Sequence, residues 1–266
     1  MNEFKIVRNI PDSMELNDYL LSIHIPKKVI NEMINNNVIT KEGNKILFNL
    51  DEYDKNDIEP FDGDIDIVYE DSEILVIKKP RGILIHSDGE TFDTLLNRVS
   101  FYQFKKGIKY KIRVIHRLDL ETIGLVVFCK NLISYYHLNY QMEEGLIKKK
   151  YYAIVNGKLT SGRIKTYLAR DRHDSKKYRV SKSGRLSETI YNLIDFKNDK
   201  SLLDIELITG RTHQIRVHMA YLNHSIIGDS LYGDGNNLML ENYLFGYFDP
   251  ITNEYKEIKV ENELEF

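Results

Sequence analysis

The alternation of apolar and polar residues predicts a run of short elements in the first sixty residues. Apolar residues recur at helical spacing over residues 14–21 and again over 26–34, which indicates two helices. Two short strands are predicted to follow, at residues 38–40 and 45–50. Residues 51–60 are polar and acidic, as is typical of a linker, so we expect a small separate unit before it.

Beyond residue 60, apolar runs of strand length alternate with segments of helical character. The most apolar run, Gly124–Phe128, is short and rich in β-branched residues, which predicts a buried strand. Further strands are predicted at residues 65–69, 74–77, 151–155, 163–168, 188–194 and 202–208. Helices are predicted at residues 93–99, 131–146 and 214–222. A chain of 266 residues can hold these elements in one large domain beside the small unit.

Charge is unevenly distributed along the chain, although the net charge is only −3. Residues 101–185 carry 20 Lys and Arg against 6 Asp and Glu, whereas residues 1–100 and 186–266 are both acidic. A basic region of this kind is typical of nucleic-acid binding, and solvated surface lysines are the alternative. Residues 101–113 also interleave five basic side chains with aromatic ones. The aromatic residues are Phe101, Tyr102, Phe104 and Tyr110. Such a mixture favours a loop that follows a nucleic-acid backbone and stacks on bases.

Other features of the composition bound the location of the protein. Cys129 is the single cysteine, which excludes an internal disulfide and fits a reducing compartment. The first ten residues lack the apolar segment of a secretory signal, and no apolar run approaches the length of a membrane span. We therefore expect a cytoplasmic protein that makes no membrane contact. We also expect it to be a monomer.

The stretch His116-Arg117-Leu118-Asp119 sets one carboxylate beside two side chains that carry or can carry positive charge. His116 and Arg117 can hold Asp119 ionised near neutral pH. The buried strand predicted directly afterwards would anchor this loop, and loops on rigid scaffolds commonly carry catalytic groups. Asp119 is therefore a candidate catalytic carboxylate, with a structural ion pair to Arg117 as the alternative.

Four sequence blocks, in a fixed order over residues 65–233, resemble those of the RluA-type family of RNA pseudouridine synthases. Each block alone would be a weak signal, whereas four in the right order are specific. The blocks are Lys78–His86, His116–Asp119 with Glu121–Gly124, Lys149–Gly157, and Thr209–His218 followed by Gly228–Gly233.

The resemblance implies an α+β fold in which a mixed, mostly antiparallel sheet is flanked by helices and loops. It places this catalytic domain at residues 63–266. Residues 1–62 would then form a small α/β domain and linker, because their element order resembles an RNA-binding domain of a small-subunit ribosomal protein. The match of that domain is degenerate, since the basic residues of its binding helix are reduced to Lys27 and Lys28. A structural cap with little RNA contact is the alternative.

The resemblance also implies the catalytic roles. Asp119 corresponds to the catalytic carboxylate, and Arg216 to the arginine that pairs with it. Tyr151 corresponds to the tyrosine that stacks on uracil. Tyr151 is also a candidate proton acceptor, although a phenol with an ordinary pKa of about 10 is a poor base. Arg117 corresponds to the residue associated with displacing the target base from its stack.

The remaining matches imply contacts to RNA. Lys149, with its neighbours in the cluster 148–150, would contact phosphates, and His116 and Arg211 would also bind the substrate. Arg211 is the second candidate for the arginine that pairs with Asp119. The implied reaction turns an N-glycoside into a C-glycoside without a redox change, so no metal or other cofactor is expected. The spacing of His213, His218 and His224 does not place ligands on one helix face.

Two departures from the family pattern and two alternative functions qualify this prediction. Ile123 stands where the family usually has Ser, and residues 186–189 match the usual Ala-x-Thr only in part. A non-catalytic RNA-binding protein is one alternative. A glycoside hydrolase is the other, with Asp229 or Glu121 as the second carboxylate that such enzymes need. The sequence therefore predicts a pseudouridine synthase that acts on ribosomal or transfer RNA.

Overall fold

The computed structural model describes residues 5–50, 53–109 and 111–266. Five helices are found in these residues: α1 (Leu16–Ser22), α2 (Lys27–Asn35), α3 (Leu95–Lys105), α4 (Leu132–Glu143) and α5 (Gln214–Tyr221). The strands of the first half are β1 (Lys5–Asn9), β2 (Ile39–Glu42), β3 (Lys45–Asn49), β4 (Asp66–Glu70), β5 (Ile74–Lys79), β6 (Arg113–Val114) and β7 (Ile123–Cys129). Those of the second half are β8 (Lys148–Asn156), β9 (Gly162–Arg170), β10 (Tyr178–Ser181), β11 (Arg185–Lys197), β12 (Lys200–Leu207), β13 (Leu240–Phe248) and β14 (Tyr255–Lys259). Within the described residues no helix is long and apolar enough to cross a membrane.

Eleven strands form one sheet, and its central part follows the order β10-β9-β11-β12-β8-β13-β7-β5-β4. The strand β14 pairs with β13, and β6 pairs with β7. Neighbouring strands of the described chain run antiparallel, except that β13 and β7 are parallel. This is the mixed, mostly antiparallel sheet of an α+β fold, as the sequence resemblance implied.

The central strand β7 is buried on both faces of the sheet. Val126 and Phe128 point into the hydrophobic core that also contains residues of α3 and α5. Leu125 and Val127 point into a second core, on the opposite face, with residues of α4. Because successive side chains of a strand point to opposite faces, burial on both sides requires an uninterrupted apolar run. The prediction of a buried strand at residues 124–128 is therefore confirmed.

Gly124 allows β7 to approach β13 closely. A Cβ atom at this position would lie 2.1 Å from the carbonyl oxygen of Asn242, and the φ of Gly124 is +110°. The parallel pairing of the two strands occurs at this point, where Asn242 lies beside Gly124. The glycine therefore serves a close approach of two backbones within the sheet.

The N-terminal residues form a separate three-stranded sheet, in the order β1-β3-β2. Its core also includes Leu132 and Ile133, which belong to α4 of the larger sheet's half of the molecule. A buried ion pair, 2.5 Å between Arg8 Nη2 and Glu73 Oε2, joins the two parts as well. The small unit is therefore packed on the larger one, and a domain boundary at residue 62 stays a prediction.

Several elements differ from the sequence prediction. Helix α3 continues to Lys105, so the first part of the basic segment 101–113 is helical, while Tyr110 lies outside the described residues. Residues 51 and 52 of the expected linker also lie outside them, and Asp54, which follows, is buried and paired with Arg113. The strands β1, β6, β10, β13 and β14 were not predicted. In β13 the apolar pattern is interrupted by Glu241 and Asn242, both of which are fully buried.

Candidate active site

Asp119 lies in the loop that leads into β7, and a buried lysine binds the backbone of this loop. The ammonium of Lys79 donates hydrogen bonds to the carbonyl oxygens of Pro80 and Leu120, each at 2.8 Å. Burial lowers the pKa of Lys79 to about 8, although the charges of Glu121 and Asp119 oppose this shift. The N–H group of Thr122 donates to the carbonyl oxygen of Asp119 at 3.1 Å. The loop is thus fixed through its backbone.

Arg216 joins two carboxylates that are distant in the sequence. Its Nε and Nη2 atoms donate to Oδ2 and Oδ1 of Asp229 at 2.8 and 2.7 Å, and its Nη1 atom lies 3.3 Å from Asp119 Oδ2. Burial by itself would lower the pKa of Arg216, but the hydrogen bond and charge of Asp229 raise it. The expected contact between Arg216 and Asp119 is present, whereas the bidentate geometry belongs to Asp229.

Asp229 is the residue of this cluster whose role the sequence did not indicate. Its side chain is fully buried, and its Oδ1 also accepts hydrogen bonds from the N–H groups of Leu231 and Tyr232 at 2.9 and 3.0 Å. The block Gly228–Gly233 therefore forms a turn that presents Asp229 to Arg216. The sequence indicated Asp229 only as part of a block that follows the Arg216 block in the family pattern, and as a second carboxylate in the alternative of a glycoside hydrolase.

Tyr151 projects from β8 beside Asp119 and is almost completely buried. Burial, and then the negative charge of Asp119, raise the pKa of Tyr151, and a hydrogen bond with Asn242 opposes the shift only in part. The phenol is therefore neutral at physiological pH and is a poorer base than an exposed tyrosine. Its buried ring can still provide a flat apolar surface at the cavity wall.

The histidine of the Asp119 block does not carry charge. His116 is buried, its ring is stacked on Phe245 at 5.2 Å, and its Nε2 atom accepts a 3.4 Å contact from the N–H group of Val127. Burial, assisted by the positive charge of Lys149, lowers the pKa of His116 to about 3. The expectation that a charged His116 supports the ionised form of Asp119 is therefore wrong.

The three consecutive lysines of β8 point in different directions. Lys148 and Lys150 face away from the cavity and pair with Glu257 and Asp204, at 3.2 and 2.8 Å. Lys149 lies on the other face, where it is buried at the cavity wall and its Nζ atom is 3.8 Å from Met142 Sδ. Burial lowers the pKa of Lys149 to about 8. The alternation of a strand thus separates Lys149 from the expected phosphate-binding cluster.

Two arginines lie at the exposed part of the cavity wall. Arg117 is exposed, and its positive charge adds to burial in lowering the pKa of His86. Arg211 is also exposed, and its Nε atom donates to the carbonyl oxygen of Leu186 at 3.1 Å. Because Arg211 is directed to the backbone of β11, the pairing with Asp119 falls to Arg216.

The remaining polar residues of the block Thr209–His218 hold its loop and helix in place. Gln214 accepts from the hydroxyl of Thr209 at 2.8 Å and donates to the carbonyl oxygen of Glu188 at 3.0 Å. His218 lies between the hydroxyls of Thr166 and Thr189, at 3.0 and 2.9 Å. Thr189 is the part of the partly matching segment 186–189 that fits the family pattern, and it has a structural role here.

The histidines His213, His218 and His224 have separate partners. His213 is bonded to Tyr232, His218 to two threonines, and His224 to the carbonyl oxygen of Asn156. Among the described residues, no group of three or more His, Cys, Asp or Glu side chains is arranged to hold a metal ion.

One cavity of about 520 Å³ brings the predicted site residues together. All seven line it: His116, Arg117, Asp119, Lys149, Tyr151, Arg211 and Arg216. They come from three blocks separated by up to 100 residues, so only the folded chain can place them around one space. A volume of this size is typical of small-ligand sites, and a single extruded nucleotide can enter it.

Comparison with known proteins shows the family to which the chain is similar. The family model described as RNA pseudouridylate synthase matches residues 73–221. The chain is 39% identical over 241 residues to "Uncharacterized RNA pseudouridine synthase YhcT" of Bacillus subtilis, which covers 87% of this chain and 80% of the relative. It is 36% identical over 253 residues to "Ribosomal large subunit pseudouridine synthase D" of Borreliella burgdorferi, which covers 89% and 74%.

The fold is also found in a solved structure. "Human RNA Pseudouridylate Synthase Domain Containing 1" superposes with a TM-score of 0.64, over 74% of this chain and 83% of that chain. The two sequences are 21% identical, so this likeness concerns the fold alone. It confirms the fold class that the sequence blocks implied.

Proposed function

Because this chain belongs to the RluA-type family of RNA pseudouridine synthases, we propose that it converts uridine to pseudouridine in ribosomal RNA, with Asp119 acting at the sugar. The family makes the chain an isomerase. The choice of ribosomal RNA is supported by the relative from Borreliella burgdorferi, which is named for the large ribosomal subunit. Transfer RNA is the second candidate substrate.

The observation that carries the proposal is the environment of Asp119 in the cavity. Its Oδ2 atom faces the guanidinium of Arg216, at 3.3 Å, and the imidazole of His213, at 3.7 Å. Among the described residues no hydrogen bond to Oδ1 is found, and the side chain, which is 19% exposed, lines the cavity. Oδ1 is therefore the oxygen that can reach the ribose of an extruded uridine.

In this proposal Tyr151 stacks on the uracil and does not take its proton. A general base is most effective when its pKa lies near the working pH. The pKa of Tyr151 is raised by burial and by Asp119, so the phenol keeps its hydrogen. An aromatic ring beside the catalytic carboxylate can hold the detached base while it turns, because every base offers a flat face for stacking.

A glycoside hydrolase is a weaker interpretation of the same carboxylate. Such an enzyme needs a second carboxyl group that is protonated and can donate to the leaving group. Asp229 has the opposite character, because its hydrogen bonds and charge pairing with Arg216 outweigh burial and lower its pKa. Glu121 is not part of the cavity wall.

The basic residues of the 101–185 segment differ in whether they form ion pairs. Four of the five in residues 101–113 have an acidic partner from residues 54–70, in the pairs Lys105–Asp62, Lys106–Glu70, Lys111–Asp57 and Arg113–Asp54. By contrast, Arg170, Arg172, Lys182 and Arg185 are exposed and form no ion pair within the part of the chain that the structure describes. We therefore place the main RNA contacts at the edge formed by β9, β10 and β11, and no longer at residues 101–113. Residues 1–62, with exposed Lys27 and Lys28, would add at most a minor contact.

The proposal is tested by Asp119→Asn and by mapping pseudouridines in RNA from a strain that lacks the protein. We expect the variant to release no tritium from uracil-labelled RNA while its RNA affinity stays near that of the wild type. Asp195→Asn, an exposed position at the far end of β11, is the matched control and should be fully active. Wild-type tritium release by Asp119→Asn would contradict the catalytic role. Loss of a pseudouridine only in transfer RNA would contradict the ribosomal substrate.

A further inference from the structure

His213 is held beside Asp119 by an unusual backbone conformation and by two tyrosine rings. It precedes α5 with φ 55° and ψ 21°, a left-handed conformation that few residues other than glycine adopt. The rings of Tyr178 and Tyr232 meet its imidazole edge-on, at 5.8 and 5.6 Å. Its Nε2 atom lies 3.7 Å from Asp119 Oδ2, and its Nδ1 atom lies 2.9 Å from the Tyr232 hydroxyl.

The tautomer of His213 follows from the hydrogen bonds of Tyr232. The backbone N–H group of Tyr178 donates to the Tyr232 oxygen at 2.7 Å. The phenol hydrogen is then available to His213 Nδ1, and burial, which raises the pKa of Tyr232 to about 12, keeps that hydrogen in place. A neutral imidazole that accepts at Nδ1 carries its hydrogen on Nε2, the atom that faces Asp119.

The groups around His213 keep this imidazole neutral. Burial lowers the pKa of His213, and the charges of Arg216 and Arg117 lower it further. Asp119 and Asp229 act in the opposite direction without reversing the shift. Because His213 is neutral, the negative charge of Asp119 is balanced by Arg216.

We propose that His213 is a positioning residue for Asp119. The Nε2–H group of His213, in the tautomer set by Tyr232, holds Asp119 Oδ2 together with Arg216. The other oxygen of Asp119, Oδ1, is thereby directed to the ribose. This inference rests on the function proposed above. A separation of 3.7 Å is longer than a hydrogen bond, but contacts of catalytic groups commonly tighten when the substrate binds. His213 takes up no proton in this role, because Nε2 already carries one.

The tautomer can be measured without any activity assay. In protein labelled with ¹⁵N in its histidine side chains, two-bond proton–nitrogen spectra distinguish protonated from unprotonated ring nitrogens. We expect His213, identified by the signals that are missing in His213→Asn, to show a protonated Nε2 and an unprotonated Nδ1 at neutral pH. The Tyr232 ring lies over the guanidinium of Arg216, with 5.3 Å between the ring centroid and Cζ. Tyr232→Phe keeps this ring but removes the hydroxyl, and should shift the equilibrium toward the Nδ1–H form. A wild-type His213 with its hydrogen on Nδ1, or on both nitrogens, would overturn the proposal.

Kinetics with two matched variants test the positioning itself. Asn tolerates the left-handed backbone at position 213 but is too short to reach Asp119, whereas Gln can present an N–H group there. We expect His213→Asn to lower kcat by about tenfold to a hundredfold with little change in KM, and His213→Gln to recover part of the activity. His224→Gln, which removes a histidine outside the cavity, serves as the control, and thermal unfolding checks that each variant is folded. A kcat for His213→Asn within about twofold of the control would overturn the inference. An inactive wild type would instead refute the proposed function, and the tautomer measurement would then decide the inference by itself.

Discussion

Replacing Asp229 by Asn tests whether the pair with Arg216 stabilises both the fold and the site. Each oxygen of Asp229 acts only as an acceptor: Oδ1 accepts from Arg216, Leu231 and Tyr232, and Oδ2 accepts from Arg216. A carboxamide must place its NH₂ group against at least one of these donors. It also leaves the guanidinium of Arg216, which is 4% exposed, with Asp119 as its only negatively charged partner among the described residues.

The size of the effect follows from the burial of the pair. Removing one partner of a buried ion pair costs about 3 to 5 kcal/mol of folding free energy, because the remaining charge is left uncompensated. We expect a value of about 3 kcal/mol for Asp229→Asn, since Arg216 can turn toward Asp119. That movement would disturb Asp119, so kcat/KM should fall at least about tenfold.

The assay combines urea unfolding, followed by tyrosine fluorescence because the chain has no Trp, with tritium release from labelled RNA. Glu73→Gln is the matched control, because it breaks a similarly buried pair with Arg8 outside the cavity. It should lose a comparable folding free energy while the folded enzyme keeps its kcat. If Asp229→Asn unfolds within about 0.5 kcal/mol of the wild type and stays fully active, the reasoning is wrong.

The pH dependence of folding stability provides an independent check that Asp229 stabilises the fold as an ionised carboxylate. The pKa of Asp229 is lowered in the folded protein, so its contribution to stability is present above the unfolded-state pKa of about 4. That contribution is lost as the pH falls from about 4 through the lower folded pKa. The stability difference between wild type and Asp229→Asn should therefore be constant near neutral pH and shrink below about pH 4. A difference that grows on acidification would contradict the assignment.

Three further predictions concern the site and the RNA surface. Arg216→Lys should lower kcat/KM by about a hundredfold, because an ammonium cannot bridge two carboxylates as a planar guanidinium does; near-normal rates would move the role away from Arg216. Tyr151→Phe should keep most of the wild-type kcat, whereas Tyr151→Leu should not, and equal inactivity of both variants would restore a proton-transfer role for the phenol. Replacing the four exposed basic residues of the β9–β11 edge by Gln should weaken RNA binding; these residues are Arg170, Arg172, Lys182 and Arg185. It should also reduce the slope of log K against log salt concentration, by about 0.7 for each phosphate that is no longer neutralised. The control substitution of Lys105 and Lys106 should leave this slope nearly unchanged. The opposite pattern would return the RNA contacts to residues 101–113.

The family and the location of the site could be predicted because their signals are local in the sequence. The buried strand β7 required a continuous apolar run, and that run is visible in residues 124–128 by themselves. The strand β13 is as deeply buried, but Glu241 and Asn242 interrupt its pattern, and no local rule indicates that these polar residues are accommodated inside. Burial of a polar group depends on partners elsewhere in the fold, which periodicity cannot supply.

The sequence predicted which residues carry the chemistry of the candidate site, whereas their protonation states and pairings depend on the tertiary structure. Asp119, Tyr151 and Arg216 stand in recognisable blocks, and the fold brings them to one cavity. Only the fold decides that Arg216 is clamped by Asp229, that His116 is neutral, and that the lysines near α3 face acids from residues 54–70. The physical reason is that residue type and spacing specify which groups a chain carries. A pKa or an ion pair depends on distances and burial among residues far apart in the chain.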